Sequence, residues 1–172
     1  YSDNDYEISG RNIVDKGLGG VETLITAKRF NDAYRSTGGT IQAGNTGVKW
    51  ADQFFIGVTG SDDYKEVQHG AFVTKIPYKG RFLESDALLS NLTYLKKDIF
   101  FKGLDVNVTG LFGERNRILN DTTAEAYSWT GNRAIDYKGD EFEYSWGSQQ
   151  EGGPTLLNIN RKVASIRTGI SY

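Results

Sequence analysis

Ten residues from Leu104 to Gly113 constrain this chain more than any other stretch, because their side chains alternate in character with a period of two. Leu104, Val106, Val108, Gly110 and Phe112 stand at even positions. Asp105, Asn107 and Thr109 stand at odd ones, with Leu111 the one break. Successive side chains of a strand point to opposite faces, so this stretch is expected to form a strand with one apolar and one polar wall.

Two further stretches repeat the pattern. Between Ser85 and Lys97, Leu88, Leu92 and Tyr94 share a face with Ser90, against Asn91 and Thr93. From Val163 to Tyr172, Ala164, Ile166, Ile170 and Tyr172 share a face with Thr168, against Ser165, Arg167, Gly169 and Ser171. A soluble sandwich shows the same alternation, so the connections have to discriminate. The link Asp98–Gly103 is short enough for a hairpin. By contrast, nothing from about 116 to 160 reads as a regular strand. Short turns on one side and very long loops on the other are the asymmetry of outer-membrane barrels. A lipid-facing arginine at the midplane of such a barrel costs roughly 2–4 kcal/mol, so Arg167 has to look into the lumen. Asp105 and Asn107, on the polar wall, would do the same.

Taken in order, the chain gives strands near 1–8, 38–44, 54–67, 85–97, 104–115 and 162–172, with outer loops at 9–37, 69–84 and 116–161. Within the first loop, Gly17-Leu-Gly-Gly20 is a turn beside the β-branched run Val21–Thr26, which suits a small hairpin. Phe30 and Tyr34 are four apart, the spacing of one helix face. Asn45–Gly47 reads as a turn before Trp50. The expected fold class is therefore all-β: an antiparallel meander of about six strands from a large outer-membrane β-barrel, with long extracellular loops and short periplasmic turns. No sequence repeat of 20–50 residues suggests a propeller or solenoid.

Composition narrows the classes further. The 172 residues carry a net charge of −2 with no basic stripe, which gives no reason to expect a nucleic-acid partner. Cysteine is absent, so disulfide scaffolds and thiolate metal sites are excluded. Methionine is absent too, and the chain is expected to be processed or an excerpt of a longer one. No apolar run approaches the roughly 20 residues of a membrane helix. A barrel strand needs only about 9–11, every second one apolar, so its overall hydropathy stays low.

The residues that carry chemistry are few. His69 is the one histidine, and no Gly-x-Ser-x-Gly elbow accompanies it, so a loop histidine is the expectation rather than a catalytic triad or a metal ligand. Carboxylates cluster at Asp3, Asp5 and Glu7 and again at Asp140, Glu141 and Glu143. The first group lacks the sixth-position glycine of a calcium loop, and solvated charge is the simpler reading. The sequons at Asn91, Asn107 and Asn120 are taken as chance. No catalytic residue, cofactor or metal site is assigned, and no enzyme is expected. The best ligand-contact candidates are the outer-loop aromatics Trp129, Tyr144 and Trp146, whose planar rings stack with little loss of rotamer entropy. Arg133, with Arg115 and Arg117, suits an anionic ligand or lipopolysaccharide phosphates.

Trp50–Thr59 and Tyr64–Gly70 resemble the barrel of TonB-dependent outer-membrane receptors of Gram-negative bacteria, as do Arg29–Arg35 and Asp121–Gly131. The resemblance implies a closed barrel of about 22 strands around an N-terminal plug, of which this chain would supply roughly a quarter. It implies a location in the outer membrane, uptake of a scarce nutrient, and contacts with lipid, lipopolysaccharide and the rest of the barrel and plug. TonB would act through the plug, which this sequence lacks, and a surface lipoprotein is a further partner such receptors have. Six strands cannot close around a wide lumen, so two sheet edges are expected to need neighbours. The alternative from another class is a secreted β-sandwich module that binds carbohydrate.

Overall fold

The computed structural model describes residues 1–144 and 154–172. It is all-β, without an α-helix among those residues. In chain order the strands are β1 (Ser2–Asp3), β2 (Glu7–Lys16), β3 (Glu22–Lys28), β4 (Ala33–Val48), β5 (Ala51–Glu66), β6 (Phe82–Lys96), β7 (Asp105–Asp121) and β8 (Thr155–Ser171). Six of them form one antiparallel sheet in the order β1-β4-β5-β6-β7-β8, and β2 pairs with β3 in a separate hairpin. The six-stranded sheet is open, with β1 and β8 at its edges. In an antiparallel meander the connections alternate between the two strand ends. The links 49–50 and 97–104 therefore share one end, and the links 4–32, 67–81 and 122–154 share the other.

Several boundaries differ from those expected of the sequence. The strand near 1–8 is two strands: Ser2 and Asp3 pair with Tyr34 and Ala33, whereas Glu7 onward pairs with β3. The first loop holds the expected hairpin, turned at Leu18–Gly20 with Gly19 and Gly20 at φ 76° and 74°, values a side chain would resist. No helical turn forms at 29–35; Phe30 stays in a loop and Tyr34 lies in β4. The strand near 38–44 runs from Ala33 to Val48, and β7 and β8 extend into what read as loop, to Asp121 and from Thr155. Backbone pairing holds these extensions although their side chains do not alternate.

Two compact units divide the chain. One comprises Thr37–Asp62, Ser85–Asn116 and Ile159–Tyr172, and holds twelve or thirteen residues of each long strand: 37–48, 51–62, 85–96, 105–116 and 159–171. Cross-strand contacts fix its faces. Gly60 lies against Leu88 and Gly110 against Leu92, so the apolar even positions of β5, β6 and β7 share one face. Gly57 lies under the Asn91 amide and Gly169 under that of Asn107, and the Thr40 and Thr59 hydroxyls meet at 2.9 Å, so the polar set shares the other. At the short-turn end, the Tyr94 hydroxyl donates to the Trp50 carbonyl (3.0 Å), Phe101 packs edge-on to Tyr172, and Lys96 pairs with Asp52. Toward the other strand end, Asn160 hydrogen-bonds Glu114 and Asn116, and the Asn116 amide donates to Asp86 (2.9 Å). Between those ends apolar side chains stand open: Ile166 is 65% and Ile170 70% exposed, and Val106 and Val108 are only partly buried.

Candidate functional site

The second unit comprises Tyr1–Ser36, Asp63–Glu84 and Arg117–Asn158, and so gathers the three long connections. Asn31 is the buried fastening between the first and the second of them. Its amide donates to the carbonyls of Val67 (3.1 Å) and Arg81 (3.4 Å), and its oxygen accepts from the Gly80 N–H (3.3 Å). Arg29 next to it donates to the Tyr6 hydroxyl (2.7 Å) and Gln68 Oε1 (3.4 Å), pairs with Asp32 (3.0 Å) and meets His69 Nε2 at 3.2 Å. A guanidinium only donates, so Nε2 is the acceptor and the His69 Nδ1–H donates to the Gly70 carbonyl (2.7 Å). His69 thus positions backbone and guanidinium.

The third connection closes on itself. Residues 124–127, 133–136 and 141–144 pair through bridges Glu125↔Glu143, Tyr127↔Arg133 and Ile135↔Glu141. Three of their backbone bonds form a cycle: Ala126 N–H to the Phe142 carbonyl (3.2 Å), Phe142 N–H to Ala134 (2.8 Å), and Ala134 N–H to Ala126 (2.9 Å). Ala126, with no exposed surface, shows why a small residue sits inside that triangle. The turns between the segments are set by Gly131 at φ 82° and Gly139 at φ 98°; in the second, Asp136 Oδ1 accepts from three successive backbone N–H groups.

The sequence candidates fall into different places. Trp129 does not offer its ring to a ligand: it is completely buried against Ile13 and Ala27, and its indole N–H donates to the Thr74 carbonyl (3.0 Å). A large apolar ring gains more by filling this core than by standing in water. Arg133 faces Glu143 (3.2 Å), Glu141 (3.3 Å) and Glu125 (3.9 Å), and its buried Nε has no hydrogen-bond partner among the described residues. Tyr144 packs edge-on to Phe142, 5.9 Å between centroids. Burial, with the Tyr78 and Asp121 charges adding to it, pushes the Tyr144 phenol up to about 12. Trp146 lies outside the described residues. In the other unit, Asn107 and Arg167 share the polar face, and Asp105 accepts the Asp98 N–H in the 97–104 turn. Arg115 donates to the Ser85 hydroxyl, and Arg117 is exposed.

What the sequence did not single out is a cavity of about 320 Å³ between the end of β2, Lys75–Ile76 and the triangle. Val14, Ile76, Tyr127 and Phe142 supply its apolar wall; Asp15, Lys16, Lys75, Arg133 and Asp136 supply charge. Lys16 and Lys75 both pair with Glu22, whose carboxyl the Lys75 hydrogen bond holds below its ordinary value against a smaller desolvation. Its size is at the lower end for small-molecule sites. Two more hollows, of about 410 and 690 Å³, lie to either side of Arg29 and His69, which line both. Among the described residues no group of His, Asp and Glu is arranged to hold a metal ion. Compared with protein-family models, with curated proteins and with solved structures, the chain matches none.

Proposed function

We propose that the chain is part of the β-barrel of a TonB-dependent outer-membrane receptor, taking part in the uptake of a scarce nutrient, with the cluster of long connections as its capture end. The observation that carries the reading is the uncovered apolar row, in which Ile166 and Ile170 stand exposed on the face opposite the one that holds Asn91, Asn107 and the Thr40–Thr59 pair. In water such a surface is a liability; against acyl chains it is the wall a barrel requires. Strand segments of twelve or thirteen residues fit a bilayer that needs about 9–11. Tyr94, Trp50, Phe101 and Tyr172 at the short-turn end suit an aromatic girdle. The open edges at β1 and β8 suit strands that continue around a barrel. A two-layer sandwich is disfavoured, because its apolar row would be buried.

Because the chain has no cysteine, single cysteines report cleanly. In the full chain reconstituted in bilayers, a polarity-sensitive label at Ile166 or Ile170 should be quenched by a lipid-borne quencher, whereas one at Arg167 should be quenched by an aqueous one. Equal aqueous quenching at all three positions would overturn the reading.

A further inference from the structure

We propose that the hollow of about 410 Å³ beside Arg29 and His69 binds a small organic acid, a single carboxylate carried on an apolar body. The hollow lies against a break in the β2–β3 hairpin. Ser9 stands opposite Thr26 and Val14 opposite Leu24, so four residues of β2, 10–13, face one of β3 and leave the ladder. A bulge of this kind re-aims side chains out of a strand. Arg11 within it is exposed and has no hydrogen-bond or ion-pair partner among the described residues. The bulge is nevertheless fastened, because the Asn12 amide donates to the Val73 carbonyl (2.7 Å), and both residues line the hollow.

The walls carry two guanidinium groups, Arg11 and Arg29, and no carboxylate. Arg29 commits four of its five N–H groups, to Tyr6, Gln68, Asp32 and His69, and keeps one. Those of Arg11 all remain. The Tyr6 oxygen accepts from Arg29, so its own O–H is left to donate, and the Ser9 hydroxyl has no partner among the described residues. His69, as the acceptor of an Arg29 N–H, adds neither a donor nor a charge. Walls with donors to spare and no anion of their own call for an acceptor-rich ligand. Its charge follows from the balance: Asp32, which lines the neighbouring hollow, offsets Arg29, and Arg11 leaves one positive charge over. One carboxylate cancels that charge and fits the planar fork of Arg11 through two parallel hydrogen bonds, whereas a phosphate dianion would exceed it. Ile8, Ile13 and Val73 line the same hollow and receive the apolar body. As the chemistry of what the capture end takes in, the inference rests on the reading above. Each can still fail alone, since label quenching at Ile166 tests the strands and a titration tests the hollow.

The probes are benzoate, benzyl alcohol, benzylammonium and inorganic phosphate, titrated calorimetrically into the full chain. Benzoate should bind saturably, with the other three weaker by at least about tenfold, and added salt should weaken it. Arg11→Gln should lose about tenfold or more of the benzoate affinity. Arg11→Lys, which restores the charge without the fork, should recover only part of it. Exchange protection of the Arg29 N–H, which the Tyr6 carbonyl holds at 3.1 Å, should stay unchanged in both variants and so report an intact hairpin. Equal binding of benzoate and benzyl alcohol, tighter binding of inorganic phosphate than of benzoate, or an Arg11→Gln variant that binds benzoate as the wild type does would overturn the proposal.

Discussion

Replacing Trp129 with alanine tests whether the long connections form a cooperative core. The indole is fully buried, and a Trp side chain buries about 150–250 Å², worth about 4–6 kcal/mol at 25 cal/mol/Å² as an upper bound. Measured Trp-to-Ala costs in cores of about 3–5 kcal/mol include the cavity left behind. The lost bond to the Thr74 carbonyl is part of this, and Trp129→Phe isolates it. Phenylalanine keeps most of the apolar area but leaves that carbonyl without its donor, at about 1–2 kcal/mol. Amide hydrogen exchange reads both variants, because the N–H groups of Ala126, Ala134 and Phe142 are held only while the triangle is closed. At tenfold per 1.4 kcal/mol, the alanine variant should lower their protection by roughly two to three powers of ten and the phenylalanine variant by about one. Val106 and Val108, in the other unit, should keep theirs. If Trp129→Ala left protection at Ala134 unchanged, Trp129 would not be the core of this cluster and its burial would carry no weight.

Three further outcomes are expected. Asn31→Ala should cost about 2–4 kcal/mol and speed proteolysis within 67–81, and Asn31→Asp should be at least as damaging at neutral pH, since a carboxylate would then face the Val67 and Arg81 carbonyls. Ile166→Arg should lower bilayer stability by roughly 2–4 kcal/mol while Arg167→Ile is tolerated; comparable effects of the two in folding titrations would contradict the assignment of faces. Tyr144 should stay protonated to about pH 12, whereas an unfolded tyrosine ionises near 10. The unfolded state loses the proton first, so the stabilisation from keeping this phenol neutral is complete below pH 10 and fades as pH rises toward 12, by up to about 2 kcal/mol. Tyr144→Phe should remove that part of the alkaline loss and the matching phenolate absorbance step.

Sequence legibility followed hydrophobic alternation. Where one wall is apolar, as at Val106 and Val108 or Ile166 and Ile170, the strands and their faces could be read directly. Where apolar residues are present but do not alternate, as at Ile118-Leu119 and Leu156-Leu157, nothing in the pattern marks a strand, and so 116–121 and 155–161 read as loop although backbone pairing extends β7 and β8 through them. In β4, Gly38, Gly39, Gly44 and Gly47 erase the alternation in the same way. In the loops the difficulty is of another kind. Trp129 and Tyr137 look alike as residue types, yet one fills a core and the other is exposed, because burial is decided by Ile13, Ala27 and Thr74 more than fifty residues away. The reach of Asn31 to Val67 and Arg81 is equally non-local. Only the hairpin turned at Gly17–Gly20 announced itself, since its glycines mark the φ that the turn demands.

The closed cycle through Ala126, Ala134 and Phe142 has a bearing on how this surface can change. Each segment is anchored to both others, so none can peel away singly, and a one-residue insertion inside any of them would throw all three out of step. In the bends at 129–132 and 137–140 the buried Trp129 and the positive-φ Gly131 and Gly139 are equally bound, and only the exposed positions, such as Thr130, Asn132, Tyr137 and Lys138, are not. Novelty at this end of the molecule is thus channelled into a few outward-pointing positions at the corners of a rigid frame.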